Sequence, residues 1–398
     1  MATVLTGTLI VLALVVALPV SVFCLEVTVA WLRPGPARWP GRARLEGETV
    51  AVLVPAHNEG EALVPTLRDI RSQLPEADRI VVVADNCTDD TAAVAARFGA
   101  DVVERNDPSR RGKGYALDYG LRHLAKDPPT TVVMCDADCR LEPEMLDRLR
   151  ATCVATRKPV QALYLMVAPE GSPVGRRIAE LAWRVKNWLR PLGLAGLGWP
   201  CQLTGTGMAF PWELISSVNL AGDELAEDLE LGLELAMRGR APIFCPAARV
   251  TSRFASSPQG VSTQRERWEH GHLGIIVRKI PLLLWKSLSR RDWQLLTLTL
   301  DAAVPPLSLL VVQVAAVFIV SLVFRFVAGP AMPLLITIVS TLMLLLATAI
   351  AWLSCGRDLL PPSQIWSIGP YIIAKLPLYR RFIWRSGKER SWIRTDRS

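Results

Sequence analysis

The chain has 398 residues, room for one large domain or two medium ones, and 51% of them are hydrophobic. Its net charge of +8 does not make it a nucleic-acid binder, because much of the basic excess flanks apolar runs and would face anionic lipid headgroups, and no zinc spacing, recognition-helix or RNA-binding signature accompanies it. Cysteines at positions 24, 87, 135, 139, 153, 201, 245 and 355 form no Cys-x-x-Cys pair, so they read as reduced packing residues rather than a thiol metal site.

The first apolar run, roughly Leu5 to Leu25, carries no charge until Glu26. As a helix it is long enough to cross a hydrocarbon core of about 30 Å. It lacks a basic leading segment and a small-x-small cleavage site, which points to an uncleaved anchor over residues 1–32 rather than a signal peptide. No positive residue precedes it, whereas Arg33, Arg38, Arg42 and Arg44 follow. The N-terminus is therefore expected outside and the region from about residue 40 to 290 in the cytosol, as for an integral protein of a bacterial inner membrane.

The expected soluble domain covers residues 45–262. Val50 to Val54 is a buried strand ended by Pro55. A helix over Glu61 to Leu74 and a strand over Arg79 to Ala84 follow. Thr88 can cap the next helix, with Asp89 and Asp90 in its first turn and Gly99 at its end. Asp101 to Glu104 is a strand, Gly114 to Ala125 a helix, and Thr130 to Cys135 a strand. This alternation predicts an α/β fold, a parallel sheet with helices on both faces and ligand-binding loops on one edge. Val160 to Met166 reads as a further strand, Arg176 to Arg190 as a helix, Gly193 to Gly207 as a glycine-rich loop, and Leu225 to Arg238 as a helix. Residues 263–290 mix basic and apolar side chains, as in a helix lying in a membrane interface.

Two more runs, Val304 to Phe324 and Met332 to Leu353, make crossings within residues 300–355. Residues 356–398 return to the cytosol with a basic tail. Within them, Pro361 to Trp384 is broken by Gly369-Pro370 and Pro377, and reads as interfacial or re-entrant, with a fourth crossing left open.

Several motifs end these elements. Pro55-Ala56-His57-Asn58-Glu59 closes the first strand; its backbone and Glu59 could hold a nucleoside, and a polar turn would look the same. Asp85-Asn86 closes the second, placed for a base or ribose or for a capping turn. Arg110-Arg111-Gly112-Lys113-Gly114 suits phosphate but lacks a phosphate-binding-loop signature, and a solvated basic turn is the alternative. Asp136-Ala137-Asp138 follows a wholly apolar strand; two carboxylates there can hold Mg2+ or Mn2+ on a departing diphosphate. Glu227-Asp228 opens a helix, either as a dipole-matched start or as a general base for an acceptor hydroxyl. In Gln264-Arg265-Glu266-Arg267-Trp268, Arg267 could clamp a diphosphate bidentately, or Arg and Trp could anchor an interfacial helix. His270 and His272 read as surface or interface residues.

Taken in order, Asp85, Asp136-x-Asp138, Glu227-Asp228 and Gln264-x-x-Arg267-Trp268 resemble inverting glycosyltransferase family 2 in its membrane-integrated branch, with cellulose synthase, hyaluronan synthase, the rhizobial chitin-oligosaccharide synthase and ceramide glucosyltransferase. The likeness covers about Val50 to Gly271. It implies a GT-A fold, Rossmann-like with a mostly parallel sheet, and a UDP-sugar donor. Pro55, Glu59, Asp85 and Lys113 would line the nucleotide pocket. Asp136 would contact the nucleotide and Asp138 the metal. Asp228 would be the base. Glu227, Gln264, Arg267 and Trp268 would cover diphosphate and acceptor, and displacement would be direct and inverting. Cys201-Gln202-Leu203-Thr204-Gly205-Thr206-Gly207 stands where polymerising members often carry a Ser-Gly or Cys-Gly acceptor segment, so Thr204 and Gly205 are candidates for the acceptor floor.

The expectation is a hexosyltransferase using Mg2+ or Mn2+ and acting on a lipid-linked or glycan acceptor at the bilayer. A processive polysaccharide synthase is the alternative. Three crossings do not easily enclose a polar chain, so secretion would need a channel between subunits of a homo-oligomer or an export partner. A transporter would carry ionisable residues within its spans, and only Asp301 and Arg325 come close, both near ends. A nucleotide-sugar sensor without chemistry is disfavoured by the intact carboxylates.

Overall fold

A computed structural model describes residues 2–33, 47–222, 226–255, 257–327 and 329–384. Arg38, Arg42, Arg44, Leu225 and the basic tail beyond Trp384 lie outside the described residues. The chain divides into two units. One comprises Met1–Pro34, Glu170–Gly198 and Leu273–Lys388; the other comprises Gly35–Pro169, Trp199–His272 and Glu389–Ser398.

The second unit is built on eight strands: β1 Val50–Ala56, β2 Arg79–Asp85, β3 Asp101–Arg105, β4 Thr131–Met134, β5 Arg140–Leu141, β6 Val160–Val167, β7 Met208–Pro211 and β8 Ile243–Arg253. Their order in the sheet is β3-β2-β1-β4-β7-β6-β8-β5. The first four pair in parallel, with Leu53 opposite both Val81 and Met134. Helices on both faces leave β1, β2 and β4 almost wholly buried, which is why they read as continuous apolar runs. Gly120 lets the helix Lys113–Leu124 lie on β1 and β2, since a Cβ there would come within 2.4 Å of Leu53 Cδ1.

The sheet is mostly parallel, as expected, and its antiparallel pairs all involve strands after β4. β7 runs antiparallel to both β4 and β6, and β5 antiparallel to β8. These strands escape a periodicity reading for physical reasons. β5 has two residues and β7 four. β8 contains Pro246, and its pairing with β6 jumps from Ala162↔Cys245 to Leu163↔Arg249, so Pro246, Ala247 and Ala248 bulge out of the ladder.

Local starts also differ. Thr88 does not cap the following helix: the helix is Thr91–Arg97, Thr91 N–H donates to Asp89 Oδ1 at 3.1 Å, and Thr88 N–H donates to Asn58 Oδ1 at 2.7 Å. The single interface helix expected over 263–290 is two helices, Pro258–Arg278 and Ile280–Arg290. Pro281 sits in the first turn of the second, where its missing donor is tolerated, and so the break falls at Lys279.

In the first unit, three helices among the described residues are long and apolar enough to cross a membrane: Thr3–Leu32, Leu307–Phe326 and Met332–Cys355. The residues read as a glycine-rich loop from Gly193 are helical to Gly196. Gly193 is required there, since a Cβ would lie 1.9 Å from the carbonyl oxygen of Glu26. The helix expected over Arg176 to Arg190 is Val174–Arg184, followed by a π turn at Val185–Leu189 and the helix Arg190–Gly196. Asp301, at the end of a short helix Trp293–Ala302, is not a stray charge near a span. Arg190 Nε donates to Glu26 Oε2 at 2.5 Å, and its Nη2 donates to Asp301 Oδ1 and, at 2.9 Å, to the Asp301 carbonyl. Each of the three residues is less than 5% exposed. Pro362–Ser367 forms a 3-10 turn, and Ile368–Trp384 is a helix that contains Pro377.

Candidate active site

The chain runs β1, β2, β3 outward to one side and returns to β4 on the other side of β1. A crevice opens at such a switch, beyond the carboxyl ends of the strands. The motifs fall there because each ends a strand: Pro55 and Ala56 end β1, Asp85 ends β2, and Asp136 follows β4.

The centre is a group of charges drawn from distant segments. Lys113 begins its helix just after Gly112, whose φ of 143° only glycine adopts readily. Its ammonium pairs with Asp136 Oδ1 and donates to the Gly205 carbonyl at 2.6 Å. Glu227 and Asp228 occupy the first turn of the helix Glu227–Met237. A Cβ on Gly205 would stand 3.3 Å from Asp228 Oδ2 and 3.6 Å from Lys113 Nζ, so both charges border this turn. Gly205 has φ +91° and cannot take a side chain without strain. A cavity of about 150 Å³ is lined by Lys113, Gly205, Glu227 and Asp228 at its polar end and by Leu117 and Met134 below.

Electrostatics follow from this crowding. Burial alone would lower the Lys113 pKa, but the charges of Asp136, Glu227 and Asp228 outweigh it and raise it, so the ammonium stays charged. Burial first, and then the Asp228 charge, raises Glu227, with Lys113 and Arg267 pulling the other way. Arg267, on the helix Pro258–Arg278, thus acts on Glu227. Gln264, three residues before it, is buried, and Trp268 is half-buried.

Ligand atoms of Asp136, Asp138 and Cys139 lie within 4.8 Å of one another. Two half-buried carboxylates fit a hard divalent ion that keeps open positions for phosphate oxygens. A hydrogen bond with Cys135, and then burial, push the Cys139 thiol well up, so the carboxylate oxygens are the better donors for such an ion.

Other expected residues have partners of their own. Asp85 is not open to a ligand on all sides: its Oδ1 accepts from Arg105 Nη1 at 2.5 Å and from Asn86 Nδ2 at 2.9 Å, and its carbonyl meets His57 Nδ1 at 2.6 Å. Pro55 lies opposite Val83 within the β1–β2 ladder. Glu59 is fixed through its backbone, which donates to Thr91 Oγ1 at 2.9 Å. Thr204 N–H donates to Gln161 Oε1 at 2.8 Å. Arg105 and Gln161 were not legible as site residues. The only signals for them are an arginine closing β3 opposite Asp85 and a lone glutamine in the apolar run Val160–Val167.

The chain is similar to several known proteins. An uncharacterized glycosyltransferase of Mycobacterium tuberculosis is 35% identical over 151 residues, 36% of this chain and 62% of that protein. Glucosyl-3-phosphoglycerate synthase of the same species is 36% identical over 121 residues, 29% of this chain and 36% of the synthase. In both cases the chain spans less than two thirds of the relative's length. The mannosyltransferase PcManGT from Pyrobaculum calidifontis, solved with GDP-Man and Mn2+, has a similar fold over 96% of this chain and 100% of that one, at a TM-score of 0.55 and 20% identity. Residues 47–271, more than half the chain, match the family described as "Glycosyltransferase like family 2", and the chain belongs to that family.

Proposed function

We propose that the protein is an inverting hexosyltransferase that moves a sugar from a nucleotide donor, UDP-linked, to a lipid-linked or membrane-associated acceptor at the cytosolic face of a membrane, in exopolysaccharide or glycolipid synthesis. The observation that carries this is the meeting of Lys113, Gly205, Glu227 and Asp228 around one cavity, with Asp136 paired to the Lys113 ammonium. One ammonium among three carboxylates leaves negative charge that a divalent ion would offset.

Pro55, Glu59 and Asp85 border the nucleoside, with Asp85 held rigid by Arg105. Asp136 and Asp138 would hold Mg2+ or Mn2+, which supplies charge for the diphosphate that leaves. Asp228 takes the proton of the acceptor hydroxyl. The resulting oxygen forms its bond to the anomeric carbon as the bond from that carbon to the phosphate oxygen breaks. Arg267 and Lys113 hold the developing negative charge on the diphosphate. Thr204 and Gly205 form the floor under the acceptor, and Gln264 and Trp268 cover it.

The three candidate spans among the described residues favour a lipid acceptor over a secreted polymer, because three helices do not surround a polar chain in hydrocarbon. The named activity of the mycobacterial synthase, glucosyl transfer, supports a hexose donor. The test is an incubation of the purified full chain in lipid nanodiscs with radiolabelled UDP-hexoses, and GDP-mannose as comparison. Label partitioning into organic solvent supports the reading. Alcohol-precipitable label replaces it with a processive synthase, and no transfer from any donor overturns it.

A further inference from the structure

Gln161 lies on β6, 2% exposed, the one uncharged hydrogen-bonding amide side chain in the run Val160–Val167. A buried primary amide is costly unless both its ends are satisfied. Here its oxygen accepts from Thr204 N–H at 2.8 Å, and its Nε2 donates to the carbonyls of Thr206 at 3.0 Å and Ala162 at 2.9 Å. The amide therefore grips the backbone on both sides of Gly205 and nowhere touches the charged centre itself. Gly205, held between, turns its carbonyl to Lys113 and its Cα to Asp228.

The other side of the turn is tied differently. Thr206 Oγ1 accepts from Asp136 N–H at 3.0 Å, while the strand before Asp136 is secured independently, with Cys135 N–H on the Leu53 carbonyl at 3.1 Å. Asp136 thus keeps its place through β4 as well as through the turn, whereas Thr204 and Thr206, on either side of Gly205, are held by Gln161.

Resting on the reading of Asp228 as the base and of Thr204 and Gly205 as acceptor floor, we propose that Gln161 is a positioning residue: it fixes the Thr204–Gly205–Thr206 turn and so sets the register of the acceptor hydroxyl against Asp228. It acts through the turn and touches no substrate.

The experiment uses the full chain in nanodiscs. Gln161→Met keeps the volume and loses all three bonds; Gln161→Glu keeps an acceptor for Thr204 but cannot donate to the two carbonyls. Thermal unfolding, the Kd of UDP in the presence of Mn2+, and the kcat and acceptor KM of transfer are measured together. A purely structural role would lower stability and move the UDP affinity and the transfer rate in parallel. The expected result is a split: UDP affinity within about threefold of wild type, and transfer kcat/KM for the acceptor lower by about ten- to a hundredfold, the loss that misplacement on the order of 1 Å brings. Wild-type transfer in a folded variant, a parallel loss of UDP binding, or failure of both variants to fold overturns the proposal. A wild type that transfers nothing overturns the reading of the site first, and is told apart by its own null activity.

Discussion

Two of the charge groups among the described residues, one in each unit, are built on opposite plans. Glu26, Arg190 and Asp301 set one guanidinium fork against two carboxylates, with bonds of 2.5 Å to Glu26 and 2.9 Å to the Asp301 carbonyl, and less than 5% of any member exposed. Lys113, Asp136, Glu227 and Asp228 set one compact ammonium among three half-buried carboxylates beside a cavity. Arginine's planar fork meets two partners at once. Lysine is a point charge, and the carboxylates around it keep lone pairs and negative charge in excess. The sealed group fastens three helices; the open one borders a cavity.

The contrast breaks most readily at Asp228. Asp228→Asn is expected to lower the transfer rate by about 10³- to 10⁴-fold, the upper range for a general base, with the UDP Kd unchanged by calorimetry. Turnover like wild type would remove Asp228 from the mechanism.

Arg190→Met leaves two facing carboxylates buried without their cation, and should cost about 3–5 kcal/mol of stability in chemical denaturation. The sharper form of this test is the triple variant Glu26→Gln, Arg190→Met, Asp301→Asn. If the sealed group is only a fastening, the triple variant recovers most of that loss and keeps transfer. A folded triple variant without transfer would erase the distinction between the two groups.

Asp138→Asn should weaken Mn2+-dependent UDP binding by roughly tenfold or more, about 1.4 kcal/mol in an equilibrium constant, and a chelator should do the same to wild type until Mn2+ or Mg2+ is restored. UDP affinity indifferent to both would remove the metal from Asp136 and Asp138.

The smallest effect is expected at Glu227. Its folded pKa lies above the usual 4.5, through burial and the Asp228 charge. The folded state therefore holds this proton more tightly than the unfolded one, and stability falls as pH rises from the unfolded value through the folded one. Glu227→Gln should raise the unfolding temperature at pH 7 by a few degrees, roughly the shift for 1 kcal/mol, and flatten that fall, while transfer declines. A variant with the wild-type pH dependence of unfolding would show that Glu227 carries no such strain.

How much was readable from residues alone differs between elements. β1, β2 and β4 were legible because a strand covered on both faces must be apolar throughout. β7 and β8 were not, since four residues carry no period and a proline-containing bulge disguises eleven. In the site, Asp136, Asp138, Glu227 and Asp228 were legible as carboxylates at element ends. Arg105, which holds Asp85, and Gln161, which holds the turn at Gly205, were not, because each acts on a backbone or carboxylate far along the chain.

The sequence by itself determined what short range can encode: three helices long enough for a bilayer, strand and helix in alternation, and acidic pairs at element ends, each a matter of period, length or a neighbour within a few residues. Only the tertiary structure decided which charges meet. Lys113 reaches the Gly205 carbonyl 92 positions away, and Arg190 joins Glu26 and Asp301 at separations of 164 and 111. Such pairings leave no periodic trace, because closing a long loop is set by the packing of whole elements rather than by any local preference of the residues that touch.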